Sequence, residues 1–277
     1  MTDLLLPGPL WLVGCGNMAG AMLARWLDQG VDPAHVSVIR PSGRAVEAGV
    51  RVTTTWPEDE VPAIVLLGMK PWQLDAVAGT LAPILDSETI LVSILAGVEL
   101  ASLRARFPTP RNLICAMPNQ PVRIGKGVTG LYGEGDLEAR ALVTGLMTVL
   151  GHAEWFDDER AFNLVTSLSG SGPAFTYRFI EALAKAGVTL GLAEPQAIAF
   201  ARSAVEGAAA LAGTGNASLA ERAREVTSPG GTTEAGLLVL DAALDDLIAR
   251  TLEAARRRSL EMADEARVPP RDGQGMR

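Results

Sequence analysis

Six residues constrain this chain more than any others: Gly14-Cys15-Gly16-Asn17-Met18-Ala19. Before them stands an apolar run, Leu10–Val13, that reads as a strand. After them Asn17–Gln29 has helical spacing, with Met18, Met22, Leu23 and Trp26 recurring on one face and Gly30 as the stop. In such a turn the first glycine permits a tight bend, and the second lets the backbone approach a pyrophosphate. The small third residue lets helix and strand pack closely, and the helix start offers unpaired N–H groups and the positive end of a dipole. The turn therefore predicts a dinucleotide held by Val13, Gly14, Cys15, Gly16, Asn17 and Met18.

The rest of the first half agrees. His35–Arg40, Ala63–Met69, Thr89–Leu95 and Asn112–Met117 are apolar runs of strand length. Val128–Tyr132 and Ala153–Phe156 are shorter candidates, with a helix near Leu137–Leu150 between them. Ala63–Met69 is apolar throughout, as in a parallel sheet buried on both faces, and Pro71 suits the first position of a helix. Strands alternating with helices imply a doubly wound α/β sheet. At the end of the second strand a carboxylate would select the ribose hydroxyl of NAD. Arg40 stands there instead, with Ser42 and Arg44 just after, which favours the 2′-phosphate of NADP; NADH is the second candidate. Lys70-Pro71 follows a buried strand and should lie at the carboxyl ends of the sheet, where ligands bind; Asn119 is placed similarly.

After Asp157 strand signals fade. Pro173–Ala186, Pro195–Ala212, Ser218–Val226 and Thr232–Ala266 read as helices rich in Ala and Gly. The expected domains are residues 1–156, which bind the dinucleotide, and an all-helical 157–268; a tail, 269–277, has the composition of a disordered segment. Leu237, Leu238, Leu240, Leu244, Leu247 and Ile248 crowd the last helix. An apolar patch of that size calls for a partner, and a two-fold homodimer, or a larger homo-oligomer, would bury it.

Composition excludes other classes. The 277 residues carry a formal charge of −8, which argues against nucleic acid and against anionic membranes as partners. No apolar run reaches the roughly 18 residues of a membrane span. The start, Met1 to Pro9, holds Asp3 and no Lys or Arg, unlike a secretory leader. Two cysteines, Cys15 and Cys115, lie far apart, and neither they nor His35 and His152 form a metal-like cluster. We expect reduced thiols, a cytoplasmic location and no protein-bound metal.

Two further motifs stand out. Ser169-Gly170-Ser171-Gly172-Pro173-Ala174 and Thr227-Ser228-Pro229-Gly230-Gly231-Thr232-Thr233 each precede a helix. With the glycine turn, Val65-Leu66-Leu67-Gly68-Met69-Lys70-Pro71, Ala96-Gly97-Val98 and Met117-Pro118-Asn119, they resemble the pyrroline-5-carboxylate reductases from about residue 10 to 266. The resemblance implies a Rossmann-type N-terminal domain and an α-helical C-terminal dimerisation domain, with active sites at the subunit boundary. It implies hydride transfer from NADPH to the C=N of 1-pyrroline-5-carboxylate, giving L-proline. Gly68, Met69, Lys70, Pro71, Leu95, Ala96, Gly97 and Asn119 would line the cofactor. Ser171, Ser228, Gly230, Gly231, Thr232 and Thr233 would hold the substrate, with the Thr233 hydroxyl on the imine nitrogen.

The chain departs from the pattern at four places. Gln120 stands where Thr is common, and Arg222-Ala223-Arg224-Glu225-Val226 replaces Leu-Lys/Arg-Asp-x-Val. Asn216-Ala217-Ser218 replaces Glu-His-Pro, and Lys185 replaces an Asp. These keep open a sister reductase acting on another imine or a 2-oxo acid, and a dinucleotide sensor without catalysis.

Overall fold

The computed structural model describes residues 6–267. Its N-terminal part is built on one eight-stranded sheet of β1 (Leu10–Val13), β2 (Val36–Ile39), β3 (Arg51–Thr53), β4 (Ile64–Leu67), β5 (Ile90–Ser93), β6 (Asn112–Pro118), β7 (Gly127–Glu134) and β8 (Gly151–Trp155). The order is β3-β2-β1-β4-β5-β6-β7-β8. Every pairing is parallel except β6 with β7. From β1 the chain winds outward through β2 and β3, then returns to the other side of β1 for β4 to β6. The reversal leaves a crevice at the carboxyl ends of β1 and β4.

The inner strands read as unbroken apolar runs because both faces are covered. Leu10, Leu12, Val36 and Val38 pack with Met22, Leu23 and Trp26 of α1 (Asn17–Asp28). Trp11, Val13, Val65 and Leu67 point the other way, against Leu74 and Leu81 of α2 (Leu74–Leu81) and against Leu103 of α3 (Leu100–Arg106). Each fully buried side chain of this kind contributes roughly 1.5–3 kcal/mol. Gly30, at φ +98°, ends α1 as expected. Asp136 starts α4 (Leu137–Thr148) by accepting from the Ala139 N–H at 2.8 Å, and this bond holds its carboxyl below the usual range.

After β8 come α5 (Glu159–Val165), a single wide π turn over Thr166–Gly170, and α6 (Gly172–Thr189). Then follow α7 (Glu194–Ala212), α8 (Leu219–Glu225), α9 (Thr232–Asp241) and α10 (Leu244–Arg267). Packing divides the chain into two compact units, one of residues up to Ser171 together with those from Ala255, the other Gly172–Ala254. In the second unit Ala184, Ala197 and Ala201 pack α6 on α7 beside Ile180.

One sequence expectation changes. The stretch Thr232–Ala266 is two helices, because the chain tightens at Ala242–Ala243, where the Ala243 N–H reaches back three residues to Leu240. Neither alanine is a breaker, so the periodicity runs through; Asp245 and Asp246 then favour a fresh helix start. The Ser169-Gly170-Ser171 segment precedes α6 as expected, lying within and just after the π turn. Sequence periodicity did not show β3 or α3, which are three and seven residues long. The tail, 269–277, lies outside the described residues.

Candidate active site

The crevice is built by glycines that do different jobs. Gly14 has φ +80°, its N–H donates to the Ile39 carbonyl at 2.8 Å, and a Cβ there would come within 2.8 Å of the Met69 backbone. Gly68 donates to the Val13 carbonyl at 2.9 Å; its Cβ would lie 2.9 Å from that of Ala19 and 3.2 Å from the Gly14 oxygen. Both glycines are demanded by the protein's own packing. Gly16 is not: a Cβ there would meet nothing within 4 Å. It starts α1 with no side-chain cap, and no acidic residue sits in the first turn. The first-turn N–H groups have no intrahelical acceptor, and Gly16 and Asn17 at the start of the turn line the cavities on either side. An open glycine beneath unpaired N–H groups is what close approach of a pyrophosphate needs, so the turn fits a dinucleotide.

Around it lies a cavity of about 980 Å³, lined among others by Gly16, Met18, Gly68, Met69, Lys70 and Ala96. That is the upper end of small-ligand sites. Gly97, at φ +76°, forms the bend after β5; Leu95 is buried yet lines the cavity, and Val13, at the end of β1, is buried. Arg106 also reaches this cavity and is paired with Asp75 at 2.6 Å.

Arg40 is half-buried, and its backbone N–H is held by the Thr53 carbonyl at 3.0 Å. Its guanidinium faces the glycine turn closely enough to pull the Cys15 thiol down against burial, which is the larger effect and raises it; Glu47 also raises it. The sequence holds no carboxylate at the end of the second strand. The fold nevertheless brings Glu47 to the Cys15 side of the turn, into a neighbouring cavity of about 490 Å³ shared with Gln120 and Arg123. Ser42 and Arg44 are exposed on the turn that Gly43 closes onto Arg40.

Asn119 is buried and committed to the protein at both ends. Its Nδ2 donates to the Ser169 carbonyl at 2.9 Å, and its Oδ1 accepts from the Val128 N–H at 2.8 Å. It ties the end of β6 to the π turn that leads to Ser171, whose own N–H returns to the Thr166 carbonyl.

In the helical unit Ser228–Gly231 forms a tight turn, closed by the Gly231 N–H on the Ser228 carbonyl at 2.9 Å. Gly230 has φ +70°, and its N–H donates to the Glu234 carboxylate at 2.7 Å. Both glycine amides are therefore engaged within the chain. The donors left for a ligand are the first-turn amides of α9, at Thr232 and Thr233, and the exposed hydroxyls of those residues. Glu234 was missed in the sequence, although a Glu at the third position of a helix is a familiar capping signal. The unusual Arg222 has a local explanation: it joins Glu225 at 3.1 Å and the Thr214 carbonyl at 2.8 Å, tying α8 to the preceding loop. Lys185 is paired with Glu181 at 2.6 Å on the surface of α6, so it is not poised as the base of a hydroxy-acid dehydrogenase.

Comparison with known proteins decides the family. Over 91% of its length the chain is 36% identical to the pyrroline-5-carboxylate reductase of Pseudomonas aeruginosa, covering 96% of that protein. The chain belongs to the pyrroline-5-carboxylate reductase family. It is also 33% identical to the pyrroline-5-carboxylate reductase of Pisum sativum, over 92% of this chain and 96% of that one. The structure of a pyrroline-5-carboxylate reductase from Coxiella burnetii superposes with a TM-score of 0.86 at 29% identity, covering 93% of this chain and 99% of that one. Residues 159–262 match the family described as pyrroline-5-carboxylate reductase dimerisation, and residues 10–97 match NADP oxidoreductase, coenzyme F420-dependent. The helical half accordingly makes a homo-oligomer. Among the described residues no helix is long and apolar enough to cross a membrane, and no group of side chains could hold a metal ion.

Proposed function

We propose that this chain reduces 1-pyrroline-5-carboxylate to L-proline with NADPH, as a cytoplasmic homo-oligomer. The observation that carries the reading is the family relationship along nearly the whole chain, with an open Gly16 turn in one half and free α9 amides in the other. Residues 1–156 serve the dinucleotide and 157–268 serve substrate and assembly. The first-turn amides of α1 and the Arg40 and Arg44 cations hold the phosphates, with Ser42 beside them. Val13, Cys15, Asn17 and Met18 complete that turn, and Gly68 to Pro71, Leu95 to Gly97 and the Asn119 strut shape the rest.

A bound reduced nicotinamide supplies the hydride, chemistry that no side chain offers. The chain's own groups orient and polarise. The amides of Thr232 and Thr233 and the Ser228 hydroxyl suit the substrate carboxylate, at the positive end of α9. Gly230 and Gly231 shape that turn, and Ser171 starts the helix behind the π turn. The Thr233 hydroxyl accepts from the N–H of the protonated imine. As the C=N bond is reduced, its electron pair settles on nitrogen, and Thr233 keeps its bond to the amine.

The test is to follow NADPH absorbance with purified enzyme and 1-pyrroline-5-carboxylate, with L-proline quantified. One proline per NADPH oxidised is expected. Turnover of a six-membered imine or a 2-oxo acid in preference, or NADPH binding without any turnover, would overturn the reading.

A further inference from the structure

Of the five tryptophans in the chain, four have a hydrogen-bond or ring partner within the protein. Trp11 donates to Glu60 at 2.7 Å and stacks on Trp56, with ring centroids 6.2 Å apart. Trp26 donates to the Leu146 carbonyl at 2.8 Å. Trp155 donates to Thr144 at 2.8 Å and lies under the Arg140 guanidinium, 3.9 Å from the ring centre. Trp72 differs from all of these. It is 78% exposed, and its ring lines the cavity that Gly16, Met18 and Lys70 share.

Its exposure does not come from a loose backbone. Trp72 is the middle residue of a 3-10 turn, Pro71–Gln73, in which Pro71 presets the first position. The Lys70 N–H donates to the Gln73 side chain at 3.0 Å, and the Gln73 N–H returns to the Lys70 carbonyl at 2.9 Å. Leu74, the next residue after the turn, is buried in the core. A rigid, anchored turn thus keeps a large apolar ring in water, beside the glycine turn and at the carboxyl end of β4. Large aromatic surface is costly to leave wet, and its usual use is a flat partner.

We propose that Trp72 is a stacking wall for a heteroaromatic ring of the dinucleotide, and so a further binding residue for the cofactor. This rests on the dinucleotide reading of the cavity. Both ends of an NADP molecule carry such a ring, and the indole face suits either. Lys70, two residues before it on the same cavity, presents an ammonium that suits the phosphates between them.

The experiment measures dissociation constants by calorimetry and by tryptophan quenching for wild type, Trp72→Leu and Trp72→Phe. The titrants are NADPH and adenosine 2′,5′-bisphosphate, which has the adenine end alone. Trp72→Leu should weaken NADPH binding roughly five- to tenfold, the low end of base-on-aromatic stacking, and Trp72→Phe should keep most of the affinity. Equal loss with both titrants assigns the ring to adenine; loss with NADPH alone assigns it to nicotinamide. NADPH affinity unchanged in Trp72→Leu overturns the proposal while leaving the cofactor reading intact. Absence of NADPH binding by the wild type overturns both.

Discussion

Glu234 lays its carboxylate on the N–H of Gly230 at 2.7 Å, so the loop that resembles a substrate carboxylate site already carries a carboxylate of its own. The bond pins Gly230 in its left-handed conformation and fixes where α9 begins. Glu234→Ala should raise KM for the imino acid about two- to tenfold, the range of one net hydrogen bond, with a smaller effect on kcat. Glu234→Gln keeps an acceptor oxygen and should recover much of the loss. A fall in KM would mean that Glu234 competes for the seat the substrate needs.

Thr233 gives a separate handle on chemistry. Thr233→Ala should lower kcat roughly ten- to hundredfold, the worth of a hydrogen bond to a charged nitrogen, while NADPH affinity stays near that of wild type. Single-turnover rates would separate this from product release. Imine reduction at the wild-type rate would reduce the loop to a carboxylate holder.

Cofactor choice should reside in Arg40 and Arg44. Replacing both by Ala should cut the NADPH/NADH ratio of kcat/KM about tenfold or more, through loss of charge-assisted contacts to the 2′-phosphate. Glu47 sits near the same turn, so Glu47→Gln should move the ratio the opposite way. An unchanged ratio in the double variant would place selectivity elsewhere.

The helical half leaves Leu238 and Val239 72% and 76% exposed in the single chain. In the homo-oligomer such residues should be covered. Light scattering at low micromolar concentration should give twice the 29.0 kDa chain mass or a multiple of it, and Val239→Glu should lower both that mass and activity. An active species of one chain mass would defeat the assignment.

Burial, with a smaller contribution from Glu159, pushes the Cys115 thiol up to about 12 from an ordinary 9.0. The folded state therefore prefers the neutral thiol. Its contribution to stability is whole below pH 9 and is lost as pH rises from there toward 12, because the unfolded chain ionises first. Melting temperature should fall between pH 9 and 11 and fall less in Cys115→Ala. Equal slopes would show that other groups dominate alkaline unfolding.

Much of this architecture was readable from residue pattern alone. Leu10–Val13 and Ala63–Met69 announce buried parallel strands because both faces are covered, and Gly14 to Ala19 announces the turn because steric demands leave few alternatives. What escaped reading was whatever depends on short elements or on residues distant in sequence. β3 is too short to show a period. The reversal of β7 follows from pairing rather than from composition. Glu47 is adjacent to the glycine turn only because the chain after β2 folds back, and Asn119, read as a ligand contact, spends its amide on Ser169 and Val128. The departure at Arg222 looked functional, yet it is a local tie to Thr214.

Gly14 and Gly68, far apart along the chain, meet across β1 and β4 so closely that a methyl on either would strike the other's neighbourhood. In evolutionary terms they are a single character. Once one has been replaced and the strand ends have parted, the other is released from its constraint, so lineages of this fold should keep both glycines or lose both, and with them the seat that Gly16 holds open.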